Sequence, residues 1–179
     1  YAGWYTVMKR IWEAYSLFLI PGLVLLLVVI IGVWGHLHHL YHWTDTEVVA
    51  DDPILAGKSS FLNKYWYTFG TLIFMGVWIF FALRLRNLSL EEDRQGGDTS
   101  FSLHRKIRFW AALFLPVAAF TSAALVWQWI MSIDSHWYST LFAWYVSASW
   151  FVAAMALTIL TIVFLKNLGY YESVTADHL

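Results

Sequence analysis

The chain has 179 residues, enough for one domain, with 60% hydrophobic and only 13% charged. Soluble domains carry about 25% charged residues, so this composition excludes an ordinary water-soluble globule and asks for lipid as the outer solvent. A net charge of −1 gives no reason to expect a nucleic-acid partner, and the lack of cysteine excludes disulfides, thiolate iron–sulfur ligation and covalent c-type haem attachment by this chain.

Residues 1–13 predict a short interfacial helix. Trp4, Met8, Ile11 and Trp12 recur at helical spacing, with Lys9, Arg10 and Glu13 between them. Residues 14–35 hold no charge, and about 20 apolar residues at 1.5 Å rise cross a hydrocarbon layer of about 30 Å. Pro21 in the first turns of this span predicts a kink or a late helix start. The second span is 65–83, closed by Arg84 and Arg86. The third is 109–133, opened by Arg105, Lys106 and Arg108, with Pro116 near its start, and closed by Asp134. The fourth is 137–165, closed by Lys166 and long enough to tilt. Residues 84–108, with Glu91, Glu92, Asp93 and the pair Gly96-Gly97, read as a flexible connector. The tail 167–179 is polar, and together with a start at Tyr1 it reads as part of a longer polypeptide. The expected architecture is therefore an all-α membrane protein with four transmembrane helices behind an N-terminal interfacial helix.

Lysine and arginine set the expected orientation. Lys9, Arg10, the six in 84–108 and Lys166 make nine on one side, against Lys58 and Lys64 on the other. Nine against two puts both ends of the segment in the cytoplasm. The third and fourth spans carry small residues four apart (Ala118/Ser122, Ala119/Ala123, Ala143/Ser147, Ser149/Ala153), ridges that let helix backbones approach each other or a partner.

No ionisable side chain lies centrally in any span, which weighs against a transporter and against a complete proton path within these four helices. Pro21 and Pro116 lie near span ends, unlike the mid-membrane breaks of transporters. The ionisable groups gather instead at the outer end: His36, His38, His39, His42 and Asp45 after the first span, and Asp134 with His136 in the turn between the third and fourth. Both groups leave the membrane on the same side. Three readings stand: interfacial histidines with Asp134 capping the fourth helix; a quinone-type site or proton exit, in which neutral imidazole bonds a carbonyl and a carboxylate accepts a proton; or a b-haem anchor, with His36 or His39 facing His136. The aromatic and imidazole run Trp34–Trp43 is an interfacial belt or a docking surface for a partner.

Two stretches carry a family resemblance. One runs from His38-His39-Leu40-Tyr41-His42-Trp43 through Asp52-Pro53-Ile54-Leu55 to Lys58-Ser59-Ser60-Phe61-Leu62-Asn63. The other is Met131-Ser132-Ile133-Asp134-Ser135-His136-Trp137-Tyr138-Ser139-Thr140, followed by Ala143-Trp144-Tyr145-Val146-Ser147-Ala148. Together they resemble the second polysulfide-reductase-like (NrfD-like) membrane subunit of bacterial alternative complex III. The similarity spans nearly the whole chain, and the tail Asp177-His178-Leu179 looks like the start of a segment that continues in that family. Ser135 departs from the proline expected there.

The resemblance implies a fold of paired four-helix bundles, of which this chain holds about one. It implies a complex in the bacterial inner membrane that oxidises quinol. Its c-type haems and iron–sulfur clusters sit on partner subunits: multihaem cytochromes, an iron–sulfur protein and a sister NrfD-like subunit. It leaves open whether this chain binds quinone, conducts protons or scaffolds. Asp134 and His136 are the first candidates for the quinone or proton path, followed by His39, His42, Asp45 and Tyr138. On this reading Asp134→Asn slows quinol oxidation or proton release without loss of assembly.

Overall fold

The computed structural model describes residues 6–96, 100–171 and 174, and all regular structure among them is helical. In chain order the helices are α1 (Lys9–Ser16), α2 (Leu19–Trp34), α3 (Thr46–Asp51), α4 (Pro53–Lys58), α5 (Lys64–Arg94), α6 (Ser102–Trp129) and α7 (Phe142–Asn167), with 3-10 turns at His42–Thr44 and Met131–Ile133. Four segments are long and apolar enough to cross a membrane: Lys9–Trp34, Lys64–Arg94, Ser102–Ile133 and Phe142–Asn167. They make the chain a multi-pass membrane protein by length and composition.

The helix boundaries follow backbone chemistry more closely than charge. Proline has no N–H and its ring crowds the carbonyl four residues back. At Pro21 that carbonyl belongs to Leu17, which takes its bond from the Ile20 N–H instead, and a turn at Leu17–Phe18 separates α1 from α2. The expected late start is therefore observed, and the first helix extends to Ser16 and not to residue 13. Trp4 lies outside the described residues. Helix α5 runs eleven residues beyond Leu83, because Arg84 to Arg94 contains no helix breaker. It stops where Gly96 takes a positive φ of 69°. Arg84 and Arg86 end the apolar stretch but not the helix, and the expected 84–108 connector shrinks to 95–101. Gly97 lies outside the described residues. The fourth membrane helix begins at Phe142 and not at 137, because 134–141 forms the turn that leads into it. Of the tail, Asp177-His178-Leu179 lies outside the described residues.

Sequential long helices pack side by side: α2 on α5, α5 on α6 and α6 on α7. Helix α1 bridges α7, through Trp12 and Tyr15, and α5, through its charges. In lipid, packing and polar contacts must supply what water would otherwise drive, and each polar tie contributes about 0.6–2 kcal/mol. Here one device recurs, an indole N–H donating to a threonine hydroxyl. It joins Trp34 to Thr68 (2.9 Å), Trp129 to Thr71 (2.9 Å), Trp78 to Thr121 (2.8 Å) and Trp12 to Thr158 (3.0 Å). Each tie crosses from one helix to another. Val126 of α6 meets Ala143 and Val146 of α7 in a small buried cluster, so part of the small-residue ridge does seat these two helices.

Candidate functional site

One end of the bundle is built by the 35–63 segment and the 130–141 turn. Helix α2 closes with the Gly35 N–H on Ile31 O and the Leu37 N–H on Gly32 O, which leaves His36 in the left-handed region at φ 51°. Glycine usually fills that position. The chain then folds back so that the His38 ring lies on Gly32, where an added Cβ would stand 2.4 Å from Cδ2. His38 Nε2 reaches Val29 O at 3.2 Å while the Leu40 N–H reaches Nδ1 at 3.4 Å. A carbonyl can only accept, so this geometry assigns the neutral ring protonated on Nε2. His38 fastens the loop.

Tyr41, Trp43 and Tyr67 form a buried aromatic cluster with centroids 5.1–5.6 Å apart. The Tyr41 hydroxyl donates to Trp129 O at 2.9 Å and accepts from the Tyr67 hydroxyl at 3.3 Å. Burial raises the Tyr41 phenol above its ordinary 10.0, against a smaller lowering by the Tyr67 hydrogen bond. Asp45 caps α3 by accepting the Glu47 N–H at 3.0 Å. Asp52 caps α4 by accepting the N–H groups of Ile54 (2.8 Å) and Leu55 (3.3 Å), with Pro53 at the first helical position.

The second oxygen of Asp52 meets His136 Nε2 at 2.5 Å. At the other end of α4, Lys58 Nζ donates to Ser135 O at 2.5 Å and stands 5.5 Å from the centre of the Tyr138 ring. Helix α4 is thus tied at both ends to the 134–141 turn. Between them opens a cleft of about 280 Å³ lined by Lys58, Leu62, Trp127, Met131, Ser132 and Tyr138, among others. The Asp52–His136 pair flanks this cleft without lining it. His136 is exposed and Asp52 half-buried, so the pair borders water. Desolvation pushes the Asp52 carboxyl up, but the Ile54 N–H, His136 and the Leu55 N–H together outweigh it and hold it below its ordinary value of 3.8.

The expected site residues therefore separate. Asp134 accepts the backbone N–H groups of His136 (3.3 Å) and Trp137 (3.4 Å), shaping the turn; it does not cap α7, which starts eight residues later. His39 and His42 are exposed, and their side chains make no hydrogen bond or ion pair to another described residue. Asp45 is a helix cap, and Tyr138 lies exposed beside Lys58. The first histidine cluster and the Asp134–His136 turn share one end of the bundle, but Asp52 and Lys58 make the connection between the two segments. Asp52 is the partner that sequence reasoning missed. Its signal was the Asp-Pro pair, which marks a helix N-terminus and so a carboxylate of fixed direction; the pairing across 84 positions left no trace in spacing. Among the described residues no group of three or more histidine, aspartate or glutamate side chains stands close enough to hold a metal ion. No protein-family model matches the chain, and no curated protein matches it either.

Proposed function

We propose that the chain is an integral membrane subunit of a quinol-oxidising electron-transport complex of the alternative complex III type. In this reading it lies in the bacterial inner membrane with its basic end in the cytoplasm. It sits beside multihaem c-type cytochrome and iron–sulfur subunits and a sister NrfD-like subunit. The two outer stretches that resemble that family support the assignment, and they are the same stretches that Asp52–His136 and Lys58–Ser135 bind together.

The observation that carries the site is the Asp52–His136 pair, a carboxylate and an imidazole in contact at the water face beside an apolar cleft. Oxidising one quinol releases two electrons and two protons. The electrons leave through the partner subunits, and the pair takes up protons and passes them to water, the task imidazole suits near neutral pH. His136→Gln in the assembled complex is expected to lower quinol turnover by at least about a hundredfold, the lower bound for a positioned acid–base group, with normal assembly and an altered pH profile. Normal turnover in an assembled complex carrying His136→Gln would remove the pair from the proton path. Asp134→Asn separates the candidates. An amide keeps the turn's acceptor, so slowed turnover there would bring Asp134 back into the path.

A scaffolding role is the second reading, and the two-ended attachment of α4 favours it. It expects the same substitutions to change only the yield of the complex. A b-haem anchor would show itself in a reduced-minus-oxidised spectrum of the isolated chain.

A further inference from the structure

At the end opposite the candidate site, α1, α5 and α6 enclose a cleft of about 410 Å³. Its mouth carries Lys9, Glu13 and Arg86, and its depth is apolar, with Trp78, Ala82 and Phe114. Trp78 and Arg86 are eight residues apart on α5, so the cleft runs about 12 Å along the helix axis at 1.5 Å per residue. The Trp78 N–H is already used on Thr121, and Ser16 Oγ donates to Glu13 O at 2.7 Å, so the interior has little left for a polar guest.

The charges at the mouth are unevenly matched. Glu13 is shared by Lys9 and Arg10, Glu92 stands 3.4 Å from Lys9, and Asp93 pairs with Arg10. The acidic groups here are thus committed to the cations of α1. Arg86 is half-buried and lines the cleft, and its guanidinium makes no hydrogen bond or ion pair to another described residue. Arg105, Lys106 and Arg108 on α6 likewise form no ion pair among the described residues, which adds a positive field around the opening. A half-buried guanidinium facing an apolar channel asks for an anion carried on an apolar chain.

We propose that this cleft binds one anionic membrane phospholipid, with its phosphate on Arg86 at the mouth and an acyl chain along Trp78, Ala82 and Phe114. Basic pockets between membrane helices recognise lipid headgroups in this way. The site is independent of the quinol reading, since it lies at the other end of the molecule and uses none of the same residues.

The test is native mass spectrometry of the full chain in mild detergent, titrated with phosphatidylglycerol or phosphatidylcholine. The chain is expected to retain one phosphatidylglycerol in preference to phosphatidylcholine. Arg86→Gln should weaken retention about fivefold, the worth of one interfacial cation, and Arg86→Lys should restore most of it. Ala82→Trp, which fills the cleft without touching charge, should abolish retention and keeps the proposal testable where Arg86→Gln does not fold. The pair Arg105→Gln with Arg108→Gln, outside the cleft, should leave the single bound lipid in place. Equal retention of the two lipids, unchanged retention in Arg86→Gln or Ala82→Trp, or loss only in the outer arginine pair would overturn the proposal. So would inorganic phosphate binding as well as the lipid does, or a neutral isoprenoid recovered in its place.

Discussion

Asp52 shows how one side chain can serve two structural ends at once. One oxygen fixes the start of α4 and the other meets His136. Because the folded carboxyl lies below its ordinary 3.8, folding favours the ionised form. The resulting stabilisation is complete above the unfolded value and is lost as pH falls through the folded one. The exchange protection of residues 52–58, taken relative to the intrinsic rate at each pH, is therefore expected to hold at pH 6 and to fall below about pH 4, the unfolded carboxyl value. Asp52→Asn should flatten that transition, and an unchanged profile in the variant would assign the acid sensitivity to another group. Composition and spacing placed His136 and Asp134 at the same end of the bundle as the 35–63 segment, in agreement with the contacts to α4. They could not distinguish a carboxylate that shapes its own turn from one that reaches across to another loop, because that choice depends on which neighbours the fold supplies.

Among the elements, hydropathy located all four membrane helices but misjudged where helices stop. Lipid solvation and helix continuity are different physical conditions. Arg84 marks the edge of the apolar stretch, whereas α5 continues through Leu88 and Ser89, both buried, and receives α1 there through the Arg10 guanidinium on Ser89 O. Leu88→Ala removes a side chain that is 3% exposed. It is expected to cost about 2–5 kcal/mol, the usual range for emptying a packed site. The loss should appear as faster exchange in both α1 and residues 85–94. Loss confined to α5 would mean that α1 does not depend on this contact. The tryptophans were legible only in part. An interfacial belt accounts for their number, but their role as cross-helix donors to threonine depends on which residues face each other.

At the scale of the whole molecule, the spans keep little of their surface to themselves: 11–22% of each apolar window is buried within the chain. Packing inside one bundle therefore cannot account for the apolar content, and lipid or neighbouring membrane subunits must solvate the rest. Four crossings put the 35–63 segment and the α5–α6 connector on opposite sides. The chain has no native cysteine, so this can be read directly. Glu47→Cys and Arg105→Cys are expected to react with a membrane-impermeant maleimide from opposite faces of sealed vesicles. Labelling of both from the same face would require a different number of crossings.

The short helix α4 has a consequence that reaches past its size. A plate fastened at one point can swivel, and one fastened at two cannot. With Asp52 held at one end and Lys58 at the other, the two loops are joined across the cleft at two points, which should make them move as one cover. Freeing either fastening turns that cover into a flap on one hinge. Any molecule that entered the cleft by way of that motion would be linked to the proton on the pair, each altering the equilibrium of the other by an equal factor.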